Sequence, residues 1–172
     1  MLISHEDAQR FRAGQEFACN RALVFSGAHG SLEEVKTDTQ FARLKTAAAN
    51  RQTQLRDRLR AGEKKMESTV NDAVKRELDV NAGITVGNST VYPIHDESAR
   101  HWAFSMSMTQ QVPNGTGHRE RVVNVVTQSY LFFRPKVLQL TVSGGEVDLA
   151  WTRQVAREWT AQVSAANPLG SR

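Results

Sequence analysis

Two imidazoles and two carboxylates fall within seven residues at His95-Asp96-Glu97 and His101. That set carries the donors a divalent cation would take, and with it the chemistry of a metal-dependent hydrolase. The spacing argues against a ready-made site. A step of six puts the two histidines on no common helical face, and the segment after Pro93 reads as a loop between strands, where polar residues gather anyway. A metal would need a further ligand, His118 or His29, so a solvated turn is the preferred reading. A single Cys, Cys19, excludes a disulfide framework and a thiolate-rich zinc site, and small apolar packing accounts for it.

Covalent and nucleotide chemistry lack their signatures. There is no GxSxG elbow, no GxxxxGK[ST] and no GxGxxG. Gly27-Ala28-His29-Gly30 precedes a helix whose free amides attract anions, but it reads as an ordinary turn. The triplets Asn88-Ser89-Thr90 and Asn114-Gly115-Thr116 fit glycosylation only in a secretory setting that nothing else supports. No catalytic set, cofactor or resident metal is expected.

The sharpest charge feature lies between residues 41 and 65. Arg43, Lys45, Arg51, Arg56, Arg58, Arg60, Lys64 and Lys65 stand there against Asp57 and Glu63, a local +6. Arg51, Arg56, Arg58, Arg60, Lys64 and Lys65 are the candidate anion-binding residues, able to meet phosphates or an acidic protein surface with steep salt dependence. No aromatic residue interleaves them after Phe41, which leaves single-strand stacking unsupported. The competing reading is a solvated helix face with acids early (Glu33, Glu34, Asp38) and bases later, as the helix dipole prefers. Over the whole chain 22 Lys and Arg face 18 Asp and Glu, giving +4. The excess is even: 14 against 12 in residues 1–80 and 8 against 6 in residues 81–172.

The elements that carry these residues are legible from periodicity. Ser31-Leu32-Glu33-Glu34 is a capping box. From it, apolar residues at Leu32, Val35, Phe41, Leu44, Ala48, Leu55, Leu59, Met66, Val70, Val74 and Leu78 keep one narrow stripe on a helix. A straight helix over 31–79 would run roughly 74 Å, far beyond a domain of this size, so a bend or a helix pair is expected, with Gly62 as the break. Asn81, Ala82 and Gly83 should end it. Phe41, Leu44, Leu55, Leu59 and Met66 are the candidate interaction surface, because a stripe longer than its sheet leaves apolar area for a partner or for a second copy.

From Ile84 the period becomes two. Trp102, Phe104, Met106 and Met108 alternate with small polar residues, the turn Pro113-Asn114-Gly115-Thr116-Gly117 makes a hairpin, and Arg121–Phe133 reads as a central strand. Arg134-Pro135 breaks it, and Leu138, Leu140 and Val142 mark the next strand. After Gly144-Gly145, with Asp148 as cap, Trp151, Val155, Trp159 and Val163 form a stripe that should pack on the sheet. Ser4–Ala18 has the pattern of a helix and Arg21–Ser26 that of an added strand. Strands grouped after helices argue a single α+β domain over 1–172. It comprises an N-terminal segment (1–30), a long helical region (31–80), an antiparallel sheet of three to five strands (84–143) and a C-terminal helix (147–166).

The order from Phe132 through Leu138-Gln139-Leu140-Thr141-Val142 into Trp151–Val163 resembles the close of small PsbP-like or DcrB-like α+β domains of bacterial envelope and secretion systems. The likeness covers a third of the chain and no diagnostic motif, and the long N-terminal helical region departs from it. It implies a sheet backed by helices that serves as a binding or chaperone surface.

The expected function is a non-enzymatic bacterial protein-interaction module, an adaptor, chaperone or immunity-type protein, partnered by another protein or by itself as a homodimer. The alternative is a nucleic-acid or anionic-surface binder working through the basic helix 41–65, and the third is the metal-dependent hydrolase. No run approaches a membrane span and the first thirty residues lack a signal pattern. Bacterial cytoplasm and periplasm both remain open. The ending Leu169-Gly170-Ser171-Arg172 after Asn167-Pro168 is compatible with a cut before further sequence.

Overall fold

Alternation of large apolar and small polar residues in the second half of the chain builds a sheet with two different faces, and that difference organises the molecule. The computed structural model describes residues 22–27, 34–113, 118–133 and 136–167. In chain order these form β1 (Ala22–Gly27), α1 (Asp38–Asn50), α2 (Gln52–Leu78), β2 (Thr85–Val91) and β3 (Asp96–Glu97). They continue with β4 (His101–Pro113), β5 (Arg119–Phe133), β6 (Lys136–Gly144), a 3₁₀ turn (Glu146–Asp148) and α3 (Leu149–Ala166). Every strand pairing is antiparallel and the order is β1-β6-β5-β4-β2, with β3 also on β4. The class is α+β. The sheet has six strands, more than the three to five read from sequence, because β1 joins as an edge strand and the two-residue β3 extends the β2 side.

The helical region differs from its expected form in three places. Glu34–Lys36 lie outside any helix, while residues 31–33 of the expected capping box lie outside the described residues. Thr37 is the actual N-cap: its side chain accepts from the Gln40 amide at 3.2 Å and the Gln40 side chain accepts from Thr37 N at 3.0 Å. The helix is therefore capped by a Thr-x-x-Gln box that lies later in the chain than the Ser-x-x-Glu pattern. The break falls at Arg51 and leaves Gly62 inside α2. There the Arg51 amide is shared between the Ala47 and Ala48 carbonyls, the local mark of a helix changing direction. At the far end Asp79, in the left-handed conformation at φ 52°, closes α2 before the expected Asn81-Ala82-Gly83.

One sheet face packs on α3. Leu140, Val142, Leu23 and Ala156 are buried there, with Trp151, Val155 and Trp159 against them, so the tryptophan stripe is core packing as expected. Between them runs a line of buried hydroxyls: Ser105, Thr127 and Thr152 are linked in turn at 2.9 Å each. Burying hydroxyls costs little when each has a partner, and here they tie β4, β5 and α3 together. Among the described residues the opposite face is covered only at one end, where Phe41 of α1 inserts among Trp102, Phe132 and Val137. Leu131 and Phe132, adjacent on β5, are buried on opposite faces, the double coverage that the run of apolar residues in this central strand implies.

Candidate functional site

The basic segment lies on α1 and α2, and α2 runs antiparallel to β2 along the sheet edge. Its inward carboxylates and amide replace a strand. Glu63 accepts from Ser89 N at 2.9 Å, Glu67 from Val86 N at 3.1 Å, and Asn71 accepts from Ile84 N at 2.8 Å while donating to Ile84 O at 2.7 Å. Steps of four hold the three side chains on one helix flank, and a bulge at Asn88 (φ 54°) adjusts the strand to them. An edge strand otherwise offers unpaired amides to any passing chain. Because Glu63 and Glu67 turn inward, the exposed surface of α2 is more basic than its composition.

Arg51, Arg56, Arg58, Arg60, Lys64 and Lys65 are all exposed, so every candidate anion-binding residue reaches solvent. They divide by period. Arg56, Arg60 and Lys64 follow steps of four along one flank, whereas Arg51, Arg58 and Lys65 follow steps of seven along another. Of the second flank, Arg51 and Arg58 reach the sheet. Arg51 and Arg58, with Leu55, wall a 340 Å³ pocket floored by Trp102, Phe104 and Tyr130.

Beyond that pocket the sheet continues uncovered by any described element. Met106, Met108, Val126, Gln128 and Thr141 share this face by strand parity and are half-buried, in contrast to Ser105, Val125, Thr127 and Val142 on the α3 face, which are buried. The Tyr130 hydroxyl donates to Gln128 Oε1 at 2.9 Å, and burial pushes its pKa up to about 12, so it stays a proton donor at any physiological pH.

The candidate interaction stripe is divided by the fold. Phe41 is fully buried inside the chain's own core, and Leu44 and Leu55 pack partly against it. Leu59 and Met66 are half-buried on α2, which has no fully buried residue among those described. Leu78 is 68 % exposed where the helix overruns the strand.

The histidine segment forms two separate sets. His95 Nε2 shares a 3.1 Å hydrogen bond with Ser105 Oγ, which also accepts from Arg153 Nε at 3.1 Å. Burial, and next the Arg153 guanidinium, hold the His95 pKa below its ordinary 6.5, so the ring is neutral. His101 turns elsewhere, sharing a 2.6 Å hydrogen bond with Ser98 Oγ through Nδ1 and placing Nε2 3.2 Å from Asp96 Oδ1. Hydroxyl, imidazole and carboxylate in line resemble a hydrolase relay. Here they close a hairpin: Ser98 Oγ also accepts from Arg100 N at 3.2 Å, and Ser98 N donates to His101 O at 2.9 Å. Among the described residues no three His, Cys, Asp or Glu side chains converge as a metal site, and His29 lies outside them.

Sequence reasoning missed the aromatic pocket. Trp102 and Tyr130 are cross-strand partners, and Phe104 follows Trp102 at the strand period, but only the register of β4 on β5 brings the three rings together. The signal available was parity, Trp102 and Phe104 on the same face as each other, without a way to place Arg51 and Arg58 above them. No helix among the described residues is long and apolar enough to cross a membrane. Comparison with known protein families, with curated proteins and with solved structures finds no match for this chain.

Proposed function

We propose that this chain is a non-enzymatic interaction module of the adaptor or chaperone kind, which docks a partner protein with an acidic contact surface on the open sheet face beside α2. The observation that carries the proposal is the asymmetry of the sheet. One face is closed by α3, while the other holds Met106, Met108 and Val126 among Gln128 and Thr141, a mixture suited to a wettable interface rather than a core. Charge complementarity selects the partner's sign, since Arg51 and Arg58 stand at the pocket that heads this face.

The test is capture of partners by the tagged protein, with and without nuclease, using Met108→Glu and Thr141→Glu on the open face and Gln162→Glu on the exposed side of α3 as the control. A partner that survives nuclease, binds the control and is lost from both face variants supports the proposal. Retention by the face variants overturns it, as does a partner that is a second copy of this chain joined elsewhere.

A second reading has its own observation. With Glu63 and Glu67 engaged by β2, the Arg56, Arg60 and Lys64 flank presents cations at four-residue steps to solvent, which suits a phosphate backbone or an anionic surface. Arg56→Glu with Arg60→Glu should then abolish binding that falls steeply with salt. Salt-independent binding would refute this alternative.

A further inference from the structure

The pocket at the head of the open face is more than the end of a groove. Its volume of 340 Å³ falls in the range of small-molecule sites. Trp102 and Tyr130 lie 4.8 Å apart between centroids at 20°, and Tyr130 and Phe104 6.3 Å apart at 9°, so the three rings stand stacked face to face and present a row of apolar edges to the pocket. Leu55 and Ile94 close its sides.

Two features give the pocket a polarity. Its wall carries two guanidinium groups, Arg51 and Arg58, and among the described residues no Asp or Glu lines it. Neither arginine forms an ion pair among the described residues; the pairs found there involve Lys45, Arg56, Arg100, His101, Arg121 and Arg157.

We infer that this pocket binds a small amphipathic carboxylate, an apolar body packed against the edges of the Trp102, Phe104 and Tyr130 rings and against Leu55, with its carboxylate held by Arg51 and Arg58. Apolar area supplies the contact energy and the guanidinium forks supply the selection for a planar anion. This goes beyond the proposed docking of a partner and does not rest on it, because the pocket is a concavity of small-molecule size that the partner surface adjoins.

The probe is 2-naphthoate, with 2-naphthamide as its neutral counterpart and inorganic phosphate as the anion without a body. Binding is read by calorimetry and by the indole N–H resonances of the three tryptophans, with Trp102→Phe assigning the one from the pocket. The expected result is saturable one-to-one binding that moves the Trp102 indole and leaves Trp151 and Trp159, on the other face, in place. Naphthamide, and naphthoate on Arg58→Gln, should each bind about ten-fold more weakly, the loss of one charge-assisted contact. Arg58 is an exposed mid-helix residue, so that variant keeps the fold, which circular dichroism checks. Equal binding of acid and amide overturns the inference, as does unchanged affinity in Arg58→Gln, a response confined to Trp151 or Trp159, or binding of phosphate alone.

Discussion

The carboxylate of Glu67 accepts a hydrogen bond from the Val86 backbone amide at 3.1 Å, and Glu63, one turn earlier, does the same for Ser89 at 2.9 Å. A helix here satisfies a strand's edge with side chains. Each bond has an ionised acceptor and is half shielded from water, so Glu67→Ala should cost about 1–2 kcal/mol and Glu63→Ala a similar amount. Glu67→Gln, which keeps an acceptor, should cost less. Urea unfolding of the three variants decides the matter, and a double alanine variant as stable as the parent would show that the ladder contributes nothing.

Gly144 and Gly62 should respond oppositely to alanine. A Cβ on Gly144 would sit 2.6 Å from Asp148 Cβ and 2.9 Å from Asp148 Oδ2, and that carboxylate already accepts from Gly145 N at 2.8 Å. The clash is with a side-chain root that cannot swing away, so Gly144→Ala should destabilise by about 1–3 kcal/mol. Gly62 lies inside α2, and a Cβ added there would meet nothing within 4 Å, so Gly62→Ala should stabilise by about 0.5–1 kcal/mol through helix propensity. Thermal melts of both variants give the two signs directly.

His95 predicts the direction of acid sensitivity. Its folded pKa lies below 6.5, first through burial and then through Arg153, so the unfolded chain binds this proton more readily than the folded one. Its contribution is therefore intact above about pH 6.5 and is lost as the pH falls below that, down to the folded pKa. Urea midpoints from pH 8 to pH 5 should drop at the acid end, and His95→Gln should flatten that part of the profile. An unaltered profile in the variant would place the acid response elsewhere.

Phe41 and Met66 belong to the same stripe but should behave as different kinds of residue. Phe41 is fully buried against Trp102 at 4.9 Å and Phe132 at 5.2 Å between ring centroids, so Phe41→Ala should cost about 3–5 kcal/mol. Met66 is half-buried on α2, and Met66→Ala should cost about 1 kcal/mol. Chemical unfolding that gives equal losses would mean that α2 is more deeply packed than its exposure indicates.

The parts of this fold that follow a local period were legible in the sequence. Alternation from Trp102 to Met108 and the four-residue steps of Trp151, Val155 and Trp159 specify a strand and a packed helix whatever surrounds them. Helix boundaries depended on a competition that composition does not resolve. Thr37 and Gln40 form the cap although Ser31 and Glu34 have the same pattern, and Arg51 rather than Gly62 marks the change of direction because the sheet needs α1 across its end and α2 along its edge. The pocket was illegible for a related reason: Trp102 and Tyr130 are 28 positions apart, and Arg51 and Arg58 come from an element whose placement depends on Glu63, Glu67 and Asn71 finding strand amides. Those three polar residues read as ordinary surface in the sequence.

Docking by a polar ladder has a consequence for tolerance to length change. Apolar packing can slide by part of a turn with modest loss, whereas hydrogen bonds to Ile84, Val86 and Ser89 fix α2 in both rotation and translation. One residue inserted between Arg51 and Glu63 would turn the ladder by about 100° relative to the anchored α1. The helix would then have to give up either the strand amides or the continuity with Phe41's core. Substitution on the outer side of α2 should leave the fold intact whereas a change in its number of residues should not, and releasing it would expose a strand edge able to recruit further copies into an open-ended stack.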